Sequence, residues 1–338
     1  MSLDAKQTHV VHQWKHGRPI IACCFDPKGR YLFTSSEDYS LQRWKLDDGS
    51  KVAWEAHESW VRDIIVLPDG ESFVTAGCDD HIMFWPVELG EKPQPKHSVK
   101  AHEGWVRCLD VKADGSLIAS GGNDNFVKLW DPNGKLVREL KGHESNVYSV
   151  FIHPKEDLLL SGDLGGKVNQ WEIKTGKLIR TLEAKDLHTY NGGQRVHYGG
   201  VRDMALSADG KVLACVGLHK ATNPLGAVNE PLIVQFNWAD GKELRKQPGE
   251  GVKGIGWQVE FLSDGAEICA SGGSGGAWLI FFKPTEAKPF HKLKLPDTIR
   301  DMSLHPDGLQ VATAHHDGHV RISRMEAKAA EKKPAEKK

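Results

Sequence analysis

One segment of this chain returns in register, and that return constrains the fold more than any other feature. It reads AHESWVRDIIVLPDG at 56–70, AHEGWVRCLDVKADG at 101–115 and GHESNVYSVFIHPKE at 142–156. Each copy is followed by a patch of small residues and an apolar run ending in Trp: TAGCDDHIMFW (75–85), SGGNDNFVKLW (120–130) and SGDLGGKVNQW (161–171). Weaker copies fit the same frame. FDPKG (25–29) leads to Trp44, SADG (207–210) to Phe236, LSDG (262–265) to Phe281 and HPDG (305–308) to Ser323. The closing positions are 44, 85, 130, 171, 236, 281 and 323, so the period lies in the low forties with one expanded unit of 65. A repeat of that length means stacked supersecondary units rather than independent domains.

Each copy reads as strands. VRCLDV, SLIAS and NFVKLW are short apolar or alternating runs separated by Asn-Asp, Asp-Gly or Gly-Gly turn signals, and the segment after each Trp supplies a fourth. Seven units of four antiparallel strands predict an all-β chain, a seven-bladed β-propeller whose radial repetition leaves only short edges. The segment HVVHQWKHG (9–17) aligns with the fourth strand LVRELKGHE (136–144) but has no blade ahead of it, while the last copy stops at its third strand. The ring is therefore expected to close by pairing the N-terminal strand with the C-terminal blade. The expected layout is an extension at 1–8, the propeller over 9–325 with insertions at 183–200 and 218–231 in blade five, and a charged Lys/Ala/Glu tail at 326–338 too polar to order.

These residues resemble the WD-repeat family over roughly residues 9–324. The Gly-His element stands as Gly142-His143, with Ala101-His102 and Ala56-His57, and the closing dipeptide is intact as Trp130-Asp131. The resemblance implies a buried hydrogen-bonded tetrad in each intact blade: His16, Thr34, Asp38 and Trp44; His57, Thr75, Asp79 and Trp85; His102, Ser120, Asp124 and Trp130. A hydrolase triad also uses Ser, His and Asp, but a catalytic set occurs once and this one at least three times. Copy four keeps His143, Ser161 and Trp171 but has Gly165 at the Asp position, so its network is expected to be incomplete. Copies five to seven have lost the Trp, and six and seven the His.

Lys plus Arg is 44 against 45 Asp plus Glu, a formal charge of -1, which argues against a nucleic-acid partner. The N-terminus has no signal-peptide core and no run of apolar residues is long enough to span a membrane. Six scattered cysteines without a C-x-x-C pair point to reduced thiols and a cytoplasmic protein. There is no phosphate-binding loop motif, and SGGSGG (271–276) falls in a strand-to-strand turn. His315, His316 and His319 are read as exposed turn histidines rather than a metal site. No cofactor is expected.

A propeller acts through its faces. Both insertions occupy loops on the top face and offer Tyr190, Arg195, His197, Tyr198, His219, Lys220 and Asn223 as binding groups. A second feature is a register of arginines just after the first apolar position of the innermost strand: Arg62, Arg107, Arg202 and Arg300, with Ile21, Tyr148 and Trp257 in the remaining copies. In WD-repeat propellers this position looks toward the top mouth of the central channel, with Trp60 and Trp105 beside it. Guanidinium forks suit an anion or acidic peptide. The competing reading is that Asp63, Asp203 and Asp301, which follow these arginines, pair with those of neighbouring blades. The expected function is a non-catalytic scaffold that holds a protein or peptide partner, acidic where the arginines are free, as a monomeric propeller within a complex. The alternative is a propeller enzyme, hydrolase-like, with its site at the channel mouth beside the blade-five loops.

Overall fold

Alternation within each repeat becomes four antiparallel strands, ordered from the channel outwards as they occur along the chain. The computed structural model describes residues 2–222 and 229–328, so Asn223 and the later part of the expected tail lie outside the described residues. Seven four-stranded sheets form the propeller, and an extra two-stranded hairpin stands in the first blade-five insertion. The innermost strands of blades one to seven are Ile20–Phe25, Val61–Val66, Val106–Val111, Val147–Ile152, Asp203–Leu206, Ile255–Phe261 and Ile299–Leu304. Closure follows the expectation: His9–Lys15 pairs with His319–Arg324 as the outer strand of blade seven. Ordered packing runs past this strand, since Met325 and Glu326 are buried and Glu326 pairs with Arg324.

The apolar faces meet between blades. Phe33, Leu41 and Trp54 of blade one form one cluster with Phe73 and Trp85 of blade two, and each remaining interface is filled in the same way. Polar groups stitch the same interfaces. An innermost strand is a sheet edge, and its outward amides and carbonyls need partners. Asp63 accepts from Leu109 N at 2.7 Å, Asp110 from Ile152 N at 2.5 Å, Asp203 from Val259 N at 3.0 Å and Asp301 from Cys23 N at 2.6 Å. Gln258 Oε1 accepts from Met302 N, while Ser149 and Ser35 donate to Val201 O and Val61 O, both at 2.9 Å. All seven interfaces carry such a bond.

Within the blades the tetrads have a fixed polarity. Trp85 Nε1 donates to Thr75 Oγ1 at 3.0 Å, and His57 Nε2 lies 2.7 Å from the same hydroxyl. The Asp79 carboxylate can only accept, so His57 Nδ1–H donates to it at 2.9 Å, and in the neutral ring Nε2 accepts from the Thr75 hydroxyl. Blade three repeats this through Trp130, Ser120, His102 and Asp124. Gly77 and Gly122 are required here, because a Cβ on Gly77 would strike the His57 ring and the Asp79 carboxylate, and one on Gly122 the His102 ring.

Three blades differ from the sequence expectation. Blade four has a complete network, since Asp163, at the position equivalent to Gly77, brings its carboxylate to His143 Nδ1 at 2.8 Å in place of the residue missing at Gly165. Ser161 joins His143 and Trp171 as in the other blades. In blade one Asp38 does not reach His16. Ser36 occupies the glycine position and binds Asp38, and the His16 ring turns so that Nδ1 faces Thr34 and Nε2 faces Ser40, which in turn binds Asp38. Trp44 still donates to Thr34. In blade seven His315 is wholly buried, not an exposed turn histidine. It replaces the lost histidine from a different strand, with Nδ1 against Asp297 O and Nε2 against Thr313 Oγ1, both 2.8 Å. Burial pushes His16 and His315 down to about 4, so both are neutral.

Asp163→Gly should cost about 1–3 kcal/mol, the penalty for a buried ring nitrogen without its partner. The double variant Asp163→Gly/Gly165→Asp restores the arrangement of blades two and three and should regain most of that stability in denaturant titrations.

Candidate functional site

The register residues reach the channel through a backbone irregularity. In six blades the pairing of the innermost strand with the next slips at that residue, as between Val61 and Asp63 or Val106 and Cys108. In blade five Val216 pairs with Asp203 while its carbonyl also accepts from Arg202 N. A bulge of this kind re-aims one side chain and suspends alternation locally. Simple alternation would send Asp63 away from Arg62, but both line the channel, as do Arg202 with Asp203 and Arg300 with Asp301.

The upper channel is a cavity of about 360 Å³ lined by Arg62, Arg107, Tyr148, Arg202, Trp257 and Arg300, with the carboxylates beneath. Along one side aromatic rings and guanidiniums alternate. Arg107 lies 5.2 Å from the Trp105 ring centroid and 4.3 Å from that of Tyr148; Arg202 lies 4.3 Å from that of Tyr148 and 5.3 Å from that of Trp257. Stacking fixes the planes of these guanidiniums and offsets their mutual repulsion. Burial, with Arg107 and Arg62 nearby, pushes Arg202 down to about 10, and burial lowers Arg107 as well.

The four arginines are not equivalent. Arg300 is engaged, with Nη1 2.6 Å from Glu37 of blade one and Nη2 2.8 Å from His316. Arg107 Nε donates to Asn123. Among the described residues Arg62, Arg107 and Arg202 make no ion pair, and the Nε atoms of Arg62 and Arg202, like Nε1 of Trp257, are buried without a hydrogen-bond partner. The expected competitors, Asp63, Asp203 and Asp301, turn their carboxylates to the amides of the next blade instead.

The blade-five residues do not join this cavity. Tyr190, Arg195, His197 and Tyr198 lie on or at the turn of the hairpin formed by His188–Asn191 and Val196–Gly199. There His197 Nδ1 meets His188 Nε2 at 2.8 Å, Tyr190 stacks on His197 and Tyr198 donates to Gln194. His188 and His197 line a separate cavity of about 390 Å³ against Glu144, Ser145 and Asp163. His219 and Lys220 face Glu230 at 3.5 and 2.9 Å. Trp60 and Trp105 are partly exposed on the face, 36% and 39%, outside the cavity lining. His316 binds Arg300 and His319 lies beside Asp317, so the three blade-seven histidines do not converge.

With this geometry in place, comparison with known proteins is decisive for the family. The WD domain, G-beta repeat, matches residues 7–45, 50–86, 93–131, 134–172 and 287–322. The chain belongs to the WD-repeat family. All of blade five and the first three strands of blade six, where Trp and most of the tetrad are gone, fall in the unmatched stretch. Rat apoptotic protease-activating factor 1 is 27% identical over 204 residues, covering 60% of this WD-repeat chain and 16% of its own length. Mouse pre-mRNA-processing factor 17 is 24% identical over 328 residues, 95% of this chain and 52% of the relative. Eukaryotic translation initiation factor 3 subunit I of Drosophila willistoni is 20% identical over 342 residues, 92% of this chain and 96% of the relative. The chain thus spans well under two thirds of the first two. No helix among the described residues is long and apolar enough to cross a membrane.

Sequence reading missed two channel carboxylates, Asp110 and Glu260, because they stand three residues past the register position rather than one. Burial pushes Asp63 up to about 6, Asp110 and Asp203 to about 7, and Glu260, open to the channel yet deep inside the ring, to about 8. A carboxyl raised in this way favours the folded state when protonated; that contribution is full below the ordinary carboxylate range and is lost as pH rises through the raised value. Wild type should therefore lose Tm relative to Glu260→Gln between about pH 5 and about pH 9. Parallel melting curves over that range would show that Glu260 titrates normally.

Proposed function

We propose that this WD-repeat propeller is a non-catalytic scaffold that holds an acidic segment of a protein partner at the top mouth of its channel. The observation that carries the reading is the set of three guanidiniums, Arg62, Arg107 and Arg202, in one cavity without a carboxylate on them, two with buried Nε atoms still lacking an acceptor. Two of the three, Arg107 and Arg202, are held over Tyr148, Trp105 and Trp257, and so are preorganised for carboxylates with little entropy lost on binding. Arg with Trp and Tyr is also the composition of interface hot spots. The tetrads are accounted for as blade fasteners, and the His188/His197 hairpin, away from the mouth, is elaboration of the top face around it.

The relative of similar length is named as a subunit of a larger factor, which supports a propeller that works as one member of a complex. Six free cysteines, five of them buried, fit the reducing cytoplasm. An oligoglutamate peptide serves as the probe. It should bind the intact chain with an affinity that falls steeply with salt, and Arg62→Ala/Arg107→Ala/Arg202→Ala should weaken binding at least tenfold, about 1.4 kcal/mol, in a variant whose melting remains cooperative. Equal binding by the triple variant would remove the mouth from the account. Arg300→Ala, already spent on Glu37, should have the smaller effect.

A further inference from the structure

Below the arginine tier the channel changes sign. Asp63, Asp203 and Asp301 stand one residue past the register position and Asp110 and Glu260 three past it, which at about 3.3 Å per residue sets carboxylates roughly 3 and 10 Å deeper along the strands. Four of the five are held in place by backbone amides of the neighbouring blade or, for Asp301, by Cys23 N. Glu260 is different. It makes no hydrogen bond or ion pair among the described residues, and it lines both the upper cavity and a second cavity of about 350 Å³ beneath it.

That lower cavity is walled by Leu109, Val150, Phe151, Ile152, Met204 and Leu206, with Asp110, Asp203 and Glu260 as its charged groups. No cation among the described residues pairs with these three carboxylates. They are also not arranged for a metal, since no group of three His, Cys, Asp or Glu among the described residues is placed to hold one. Aliphatic side chains interleaved with three carboxyl groups match an alkyl stem tipped by an ammonium, the way lysine divides its side chain between apolar and polar surroundings. At the upper rim Trp257 Nε1, buried and without an acceptor, offers a donor to the carbonyl of a chain entering there.

We propose that the throat of the channel is a lysine site: the partner segment places an acidic residue on Arg62 and Arg202 and drops a lysine side chain past Trp257 toward Glu260, Asp203 and Asp110. This rests on the mouth reading for the acidic residue and adds the cation beneath it. Lysine stays charged up to about pH 10, while the acceptors facing it, Glu260 with Asp110 and Asp203, become fully ionised only as pH rises through about 7 and about 8. Asp63 and Asp301 contribute from the next tier up, and the four register arginines oppose from the mouth. Affinity for the lysine-bearing segment should therefore rise between pH 6 and pH 8.5, whereas affinity for a purely acidic one should not.

The test uses the full chain and three N-acetylated peptides of one length: six glutamates, the same with a central lysine, and its acetyl-lysine twin. The lysine peptide should bind at least tenfold tighter than the acetyl-lysine twin. Glu260→Gln, which removes no protein hydrogen bond, should erase that preference and leave the all-glutamate peptide unchanged. Equal binding of the lysine and acetyl-lysine peptides overturns the throat site while the mouth reading stands. If the all-glutamate peptide instead binds the arginine variant as well as wild type, the mouth reading fails. Hexylammonium chloride then tests the throat alone by calorimetry: heat lost in Glu260→Gln supports the site, and no heat with wild type overturns it.

Discussion

Everything in this molecule depends on satisfying the inner edge of each blade. A four-stranded sheet set radially has its first strand at the channel, with one row of amides and carbonyls turned toward the neighbouring blade and no further strand to take them. Apolar packing between blades excludes water from that row, so each unmet group would cost as much as a lost hydrogen bond. The chain answers with a short side chain from the preceding blade at every interface: Asp63, Asp110, Ser149, Asp203, Gln258, Asp301 and Ser35. The chemistry varies, from carboxylate to amide to hydroxyl, but the task does not. Turned to these amides, Asp63, Asp203 and Asp301 form no ion pair with the register arginines among the described residues, and that single allocation leaves the mouth positive.

The ring, the strand count and its closure were legible because a repeat exposes its own register seven times over. The arginine positions were legible for the same reason. What they do was less so. Whether Arg62 and Asp63 share a side depends on a bulge, and a bulge is a property of two paired strands rather than of the run VRDIIV alone. The missing aspartate of blade four and the missing histidine of blade seven were hidden by another kind of freedom. Asp163 reaches His143 from two residues earlier than the repeat prescribes, and His315 supplies an imidazole from a strand position that in blades two and three is glycine. The hydrogen-bond requirement is fixed in space, whereas the sequence position that meets it can move wherever a Cβ finds room.

The mouth itself shows how like charges are held together. Arg107 and Arg202 both lie 4.3 Å from the Tyr148 ring centroid, so one ring serves two cations. Trp105 and Trp257 cap the two ends of the stack. The aromatic residues at register positions therefore complete the arginine set rather than interrupting it. Deeper in the channel the arginines give way to carboxyl groups, five of them within three residues of the register positions.

Blade seven carries a consequence for how the protein is made. Its outer strand, His9–Lys15, is translated first and must wait for His319–Arg324, and the bond from Arg321 to Gln13 joins residues 308 apart. Until then every blade already assembled stands in an open arc with one face of blade one and the strand 9–15 unpaired. Pairings of such long sequence separation form late, because loop closure must precede their reward. Until it pairs, the strand 9–15 leaves a free edge on blade seven, and a free strand edge is a template for pairing with other chains.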